Sequence, residues 1–137
     1  MMVVDTGAML ALLDASDEHH LVIKELYQEN VADWILPAVI LPEVDYIVAK
    51  YLGGKAQDAF LADLAEGAFS VEGGRDQDLA AAHRICRRYA SLRMGLVDAM
   101  VIAAAERLKA KAIVTLDLRH FGAVSIQGNP RLLPRDS

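Results

Sequence analysis

Four carboxylates stand where a charge is awkward for folding: Asp5, Glu43, Asp98 and Asp117. Asp5 closes the short apolar run MVV, and Asp117 closes IVTL. Each should therefore emerge where a buried strand stops, and in a parallel sheet ligands bind outside the carboxyl ends of the strands. Glu43, directly after Pro42, and Asp98, opening an alanine-rich stretch, fall in the first turns of predicted helices. Right-handed crossovers bring helix N-termini to that same edge, so acids from distant parts of the chain can converge. Two carboxylates about 4 Å apart repel by about 4 kcal/mol at an effective dielectric of about 20. Four share one cleft only if some are protonated or a cation sits among them. Oxygen ligands alone, without histidine or cysteine, point to a hard ion, Mg²⁺ or Mn²⁺. The chemistry such a site implies is hydrolysis of a phosphodiester by metal-activated water.

Each acid also has a local explanation. Asp5 and Asp117 suit the turns that follow them, while Glu43 and Asp98 complement a helix macrodipole, worth about 0.3–1 kcal/mol apiece. Local rules leave only the set of four unexplained. Asp45, two positions past Glu43, points away from it on a helix and is assigned a supporting or surface role. Asp14 ends the first helix and is expected to be structural, and His19-His20 has no partner at metal-ligand spacing. Cys86 falls on the apolar face of a helix and is expected to pack.

The elements that must position these residues alternate. MVV is a strand, Thr6-Gly7 a turn, and AMLALLD a helix. Asp17 is placed to cap a second helix, EHHLVIKELYQEN, with Leu21, Leu26 and Tyr27 on one face. WIL (34–36) is a strand closed by Pro37, and Pro42 opens the helix PEVDYIVAKYL, which Gly53-Gly54 ends. Residues 55–66 keep a helical period through Phe60, Leu61 and Leu64, and AFSVE is a third strand. RDQDLAAAHRICRRYASL forms a long helix with Leu79, Ala82, Ile85, Cys86 and Tyr89 inward. LVDAMVIAAAERLKA is the alanine-rich helix, AIVTLD a strand, AVSI a last weak strand, and the tail from Gly128 irregular. This alternation, without internal repeat or linker, predicts one α/β domain over residues 1–137 with a mainly parallel sheet.

A chain of 137 residues that is 54% hydrophobic can bury a core without staples. Its single cysteine excludes an internal disulfide and a cysteine metal cluster. No apolar run approaches the roughly 18 residues of a membrane span, and no basic leader with a cleavage site opens the chain. The expectation is a soluble, cytoplasmic protein. A net charge of −5 argues against indiscriminate coating of nucleic acid. The charge is unevenly spread: residues 1–74 hold three Lys/Arg against thirteen Asp/Glu, and residues 75–137 hold eleven against six. Either solvated faces have segregated by chance, or a basic surface flanks an acidic site in a way that serves a polyanion.

The blocks VVDTGAMLALLD, LPAVILPEVDYIV, GLVDAMVIAAAERL and TLDLRHFGAV, in this order and spacing, resemble those of PIN-domain proteins, and specifically the VapC family of bacterial toxins. The resemblance implies a PIN-like three-layer α/β/α sandwich and Mg²⁺- or Mn²⁺-dependent cleavage of RNA. The family's motif acids fall on Asp5, Glu43, Asp98 and Asp117. Thr6 matches the hydroxyl residue beside the first acid, suited to position a water or substrate. The resemblance also implies a small VapB-type antitoxin, whose arginine could enter the acidic cleft, and a homodimer. Arg84 and Arg88 share a helix face, with Arg87 beside them, and form a candidate ridge for RNA backbone or an ordinary wet face. Arg119 and His120 are candidates for phosphate contact or plain solvation. Two other classes stay open: a receiver-like phosphoacceptor domain, which Asp5 fits poorly because it lacks an acidic neighbour, and a catalytically silent PIN module.

Overall fold

The computed structural model describes residues 1–137. Five short strands form one sheet: β1 (Met2–Val4), β2 (Trp34–Pro37), β3 (Ser70–Glu72), β4 (Ala112–Val114) and β5 (Arg131–Leu133). Their order across the sheet is β3-β2-β1-β4-β5, and every neighbouring pair is parallel. β1 is central, with Met2 opposite both Trp34 and Ala112. All three residues of β1 and of β4 are buried, the pattern of strands covered on both faces.

Seven helices connect these strands. α1 (Thr6–Leu13) and α2 (His20–Glu29) lead to β2; α3 (Leu41–Tyr51) and α4 (Gly54–Ala65) lead to β3. α5 (Asp76–Arg88) and α6 (Leu96–Arg107) lead back to β4, and the short α7 (Leu118–Phe121) leads towards β5. Connections run one way across the sheet from β1 to β3 and the other way from β3 through β4 to β5, and with the right-handed crossovers such sheets use they cover opposite faces. The packing agrees: α1 meets α2 and α3, and α3 meets α4, whereas α5 meets α6 and α6 meets α7. The result is the expected three-layer sandwich. Its switch point, where connections leave for opposite faces, lies between β1 and β4. Open α/β sheets bind ligands in that crevice.

Several local expectations change. Thr6-Gly7 is the first turn of α1, because Asp5 caps that helix directly through Thr6 N–H. α2 starts at His20, and Asp17 instead accepts the N–H of His19 in the preceding turn. Leu21 and Leu61 face solvent, and Ile23 and Phe60 carry their helices into the core. On α5 Ala82, Ile85 and Cys86 face inward as expected, but Asp78 joins them while Leu79 is exposed, because Asp78 meets Arg107 of α6. AVSI forms no strand. The last strand is Arg131–Leu133, inside the segment expected to be irregular, reached through a left-handed Asn129 and paired to β4 as Val114 to Leu133. No helix is long and apolar enough to cross a membrane.

Candidate active site

Asp5 leaves the end of β1 and is nearly withdrawn from water. Its Oδ1 accepts Thr6 N–H at 2.7 Å, and its Oδ2 accepts the Thr115 hydroxyl at 3.0 Å. The same hydroxyl oxygen accepts the N–H of Asp117 at 3.0 Å. Thr115, directly after β4, thus ties the carboxyl ends of the two central strands together. Sequence reading passed over it because a lone threonine at a strand end carries no chemical signal. Asp117 caps α7, its Oδ1 accepting His120 N–H at 3.2 Å. The local, turn-capping explanation of Asp5 and Asp117 therefore holds, but it uses only part of each carboxylate.

Asp98 enters from the first turn of α6. The ring Nδ1 of His120 lies 2.9 Å from its Oδ2 and 3.2 Å from Oδ2 of Asp117. One potential ligand atom from each of Asp98, Asp117 and His120 lies within 4.8 Å of the others. Glu43, exposed in the first turn of α3, is near enough for its charge to act on Asp98. Asp98 and Asp117 thus come together around His120, while Asp5 and Glu43 are near enough for their charges to act on that group. His120, expected to reach phosphate or solvent, turns its ring onto the acid pair.

The electrostatics record the crowding. Burial, then the charge of Asp98, outweigh the hydrogen bonds from Thr6 and Thr115 and push the Asp5 carboxyl up to about 6, with Asp117 adding a little. Asp98 is also raised, first by desolvation and then by Asp117 and Glu43, against the lowering effect of the His120 hydrogen bond. His120 is raised, mainly by its hydrogen bond to Asp98. No lysine or arginine pairs with any of the four acids; His120 is their one basic neighbour. The Thr6 hydroxyl, buried beside Asp5, has no protein partner, although buried polar groups are nearly always satisfied.

The chain matches the family model described as "PIN domain" over residues 2–126. It belongs to the PIN domain family. Among its relatives, Ribonuclease VapC26 of Mycobacterium tuberculosis is 33% identical over 130 residues, covering 95% of this chain and 96% of that protein. At that identity and extent, this PIN domain is of the VapC type. Of solved structures, the Mycobacterium tuberculosis toxin VapC20, described as cleaving the sarcin–ricin loop, superposes with a TM-score of 0.78 at 21% identity, over 90% of this chain and 97% of that one. The DNA-bound VapBC of Salmonella typhimurium gives 0.72 at 22% identity, over 96% and 95%. These two likenesses show the shared fold.

Elsewhere in the PIN domain, Arg84 and Arg88 line a surface hollow with Tyr89 and Ser125, the Arg88 guanidinium 5.4 Å from the Tyr89 ring centre. Glu106 borders the same hollow. Arg119 is exposed on α7, next to His120. Asp45 accepts a hydrogen bond from Gln57 of α4, and Asp14 accepts the N–H and hydroxyl of Ser16, so both are structural. His20 holds the carbonyl of Ala11 through Nδ1, and Cys86 packs against the core.

Proposed function

We propose that this VapC-type protein is a metal-dependent endoribonuclease, the toxin of a toxin–antitoxin pair. What supports the reading most is the grouping of Asp98 and Asp117 around His120, with Asp5 and Glu43 acting on it through their charges and no lysine or arginine paired with any of the four. A like-charged group of this kind, with Asp5 buried and Asp98 and Asp117 half-buried, is tenable at neutral pH when a cation joins it. The residues fit Mg²⁺ or Mn²⁺: several carboxylate oxygens, and an unpartnered Thr6 hydroxyl suited to a water or a phosphate oxygen.

A bound ion supplies Lewis acidity, lowering the pKa of a water and neutralising charge on the scissile phosphate. Asp5, Asp98, Asp117 and Glu43 are assigned to hold it. Thr115 fixes the orientation of Asp5 and the backbone of Asp117 together. Thr6 is assigned to position the attacking water or the phosphate through its free hydroxyl. No nucleophilic side chain is required: the water oxygen forms the new bond to phosphorus, and the ribose oxygen leaves with a proton.

Arg84, Arg88 and Arg119 are proposed to contact RNA backbone. Charge reversal at Arg84 and Arg88 should weaken RNA binding and lower its logarithmic salt slope by about 2. A partner is proposed from chemistry and kinship together: the Salmonella relative is a VapBC assembly, and an arginine from a VapB-type antitoxin would supply the positive charge the cleft lacks. A receiver-like reading is disfavoured, because in such folds the first strand lies between the second and the third, whereas here β1 lies between β2 and β4. The deciding experiment is incubation of the purified chain with total RNA in Mg²⁺ or Mn²⁺, in EDTA, and as Asp5→Asn. Endonucleolytic products that vanish in both controls support the reading, and products undiminished in excess EDTA would overturn it.

A further inference from the structure

An imidazole, not a fifth carboxylate, stands within hydrogen-bonding distance of both Asp98 and Asp117. We infer that His120 is itself a ligand of the cation at this site, so that Asp98, Asp117 and the His120 nitrogen form a mixed oxygen–nitrogen set favouring Mn²⁺, Co²⁺ or Zn²⁺ over Mg²⁺. The inference rests on the reading that this site takes a divalent ion, and it names which ion the chain is built to prefer.

Two observations carry it. The first is separation. Donors bound at about 2.1 Å and at right angles to one another lie about 3 Å apart. His120 Nδ1 stands 2.9 Å from one Oδ2 and 3.2 Å from the other, and the three atoms fit within 4.8 Å.

The second is rigidity. His120 sits on α7, which Asp117 caps and the buried Phe121 anchors in the core. One short helix therefore sets the ring and one of its two carboxylate neighbours in fixed relation. Sites on such supported elements hold their geometry without the ion. Imidazole suits borderline divalent ions, whereas Mg²⁺ keeps oxygen ligands and several waters. The competing account of the same distances makes His120 an internal counter-ion, displaced when a metal enters.

Pulsed electron spin-echo spectroscopy of Mn²⁺ bound to the full chain separates the two. The expected result is modulation from a directly coordinated ¹⁴N in the unmodified protein, absent in His120→Ala. That substitution should also weaken Mn²⁺ binding at least about tenfold, while Mg²⁺ binding changes by less than about threefold. If His120→Ala does not fold, the nitrogen signal of the unmodified chain decides alone. Bound Mn²⁺ without nitrogen coupling would overturn the inference and leave the oxygen-ligated nuclease standing. Folded protein that binds no Mn²⁺ at millimolar concentration would remove both.

Discussion

Asp78 and Asp5 are the two aspartates most withdrawn from water, at 2% and 5% exposure, and the chain treats them in opposite ways. Asp78 has a guanidinium: Arg107 Nε lies 2.9 Å from its Oδ1, and Nη2 reaches its Oδ2 at 3.1 Å and Glu72 at 2.6 Å. Arg75 N–H completes the set at 3.0 Å. That cluster binds the end of β3 and the start of α5 to α6, and it is closed. Asp5 has only two neutral donors and faces further negative charge from Asp98 and Asp117. The fold supplies an arginine to one buried acid and none to the other, and the acid left without one is the one proposed to take a cation. Buried acid alone, then, does not mark a site. Buried acid without its own counter-charge does.

The sharpest way to break this comparison is to neutralise one acid in each cluster. Asp5→Asn should lower RNA cleavage by at least about a hundredfold, the scale on which preorganised charge acts in such sites, with the fold retained. Cleavage above a tenth of the unmodified rate, assayed at equal folded concentration, would put Asp5 outside the machinery. Arg107→Ala should act the other way round. It leaves Asp78 buried and unpaired, at a cost of about 3–5 kcal/mol of stability, read as a lower urea midpoint, while the folded fraction still cuts RNA. Replacing Arg107 and Asp78 together by Met and Leu should recover much of that loss, since a buried pair and a packed apolar pair are often close in free energy.

A smaller effect of unusual sign follows from the same contrast. Burial and the neighbouring charge of Asp98 push the Asp5 carboxyl up to about 6, against 3.8 for the ordinary side chain. The folded state therefore holds the proton more tightly than the unfolded state does. The stability this confers is present below pH 3.8 and is lost as pH rises through about 6. Above that, the ionised carboxylate is a burden. In EDTA at pH 7.5, Asp5→Asn should thus raise stability by about 1–3 kcal/mol, and the gain should shrink towards pH 4. Adding Mn²⁺ should raise the melting temperature of the unmodified chain and not that of the variant. Equal melting temperatures in EDTA at both pH values would remove the claim that Asp5 is electrostatically strained.

How much of this was legible in the sequence follows from the range of each interaction. The four acids were readable because each lies next to a local signal: a strand end for Asp5 and Asp117, a helix start for Glu43 and Asp98. Strand alternation likewise gave the parallel sheet, while β5 was missed because Arg131–Leu133 is three residues following an Asn-Pro turn and owes its pairing to β4. Leu79 was placed inward by helical period, and the structure turns Asp78 inward because its partner Arg107 lies 29 residues away. His120 shows the same limit. Its spacing of three from Asp117 is visible on the page, but the approach of Asp98, 22 residues away, is not. Period reports which face is apolar on average; it does not report which polar residue has found a distant partner.

The most modest prediction concerns Thr115, where the two central strands meet the site. Its hydroxyl donates to Asp5 and accepts from the backbone of Asp117, and it is almost fully buried. Thr115→Val keeps the shape and the β-branching but strips both hydrogen bonds, leaving the Asp117 N–H without its acceptor and Asp5 with one donor fewer. A buried hydrogen bond lost in this way costs about 1–3 kcal/mol. Loss of a donor should also raise the Asp5 carboxyl further, moving the acid limb of the pH–rate profile upwards. Thr115→Ser retains the hydroxyl and should restore both the melting temperature and the profile. If Val and Ser behave alike, the methyl group rather than the hydroxyl matters there, and the ends of β1 and β4 are joined by packing instead of through the hydroxyl that orients Asp5.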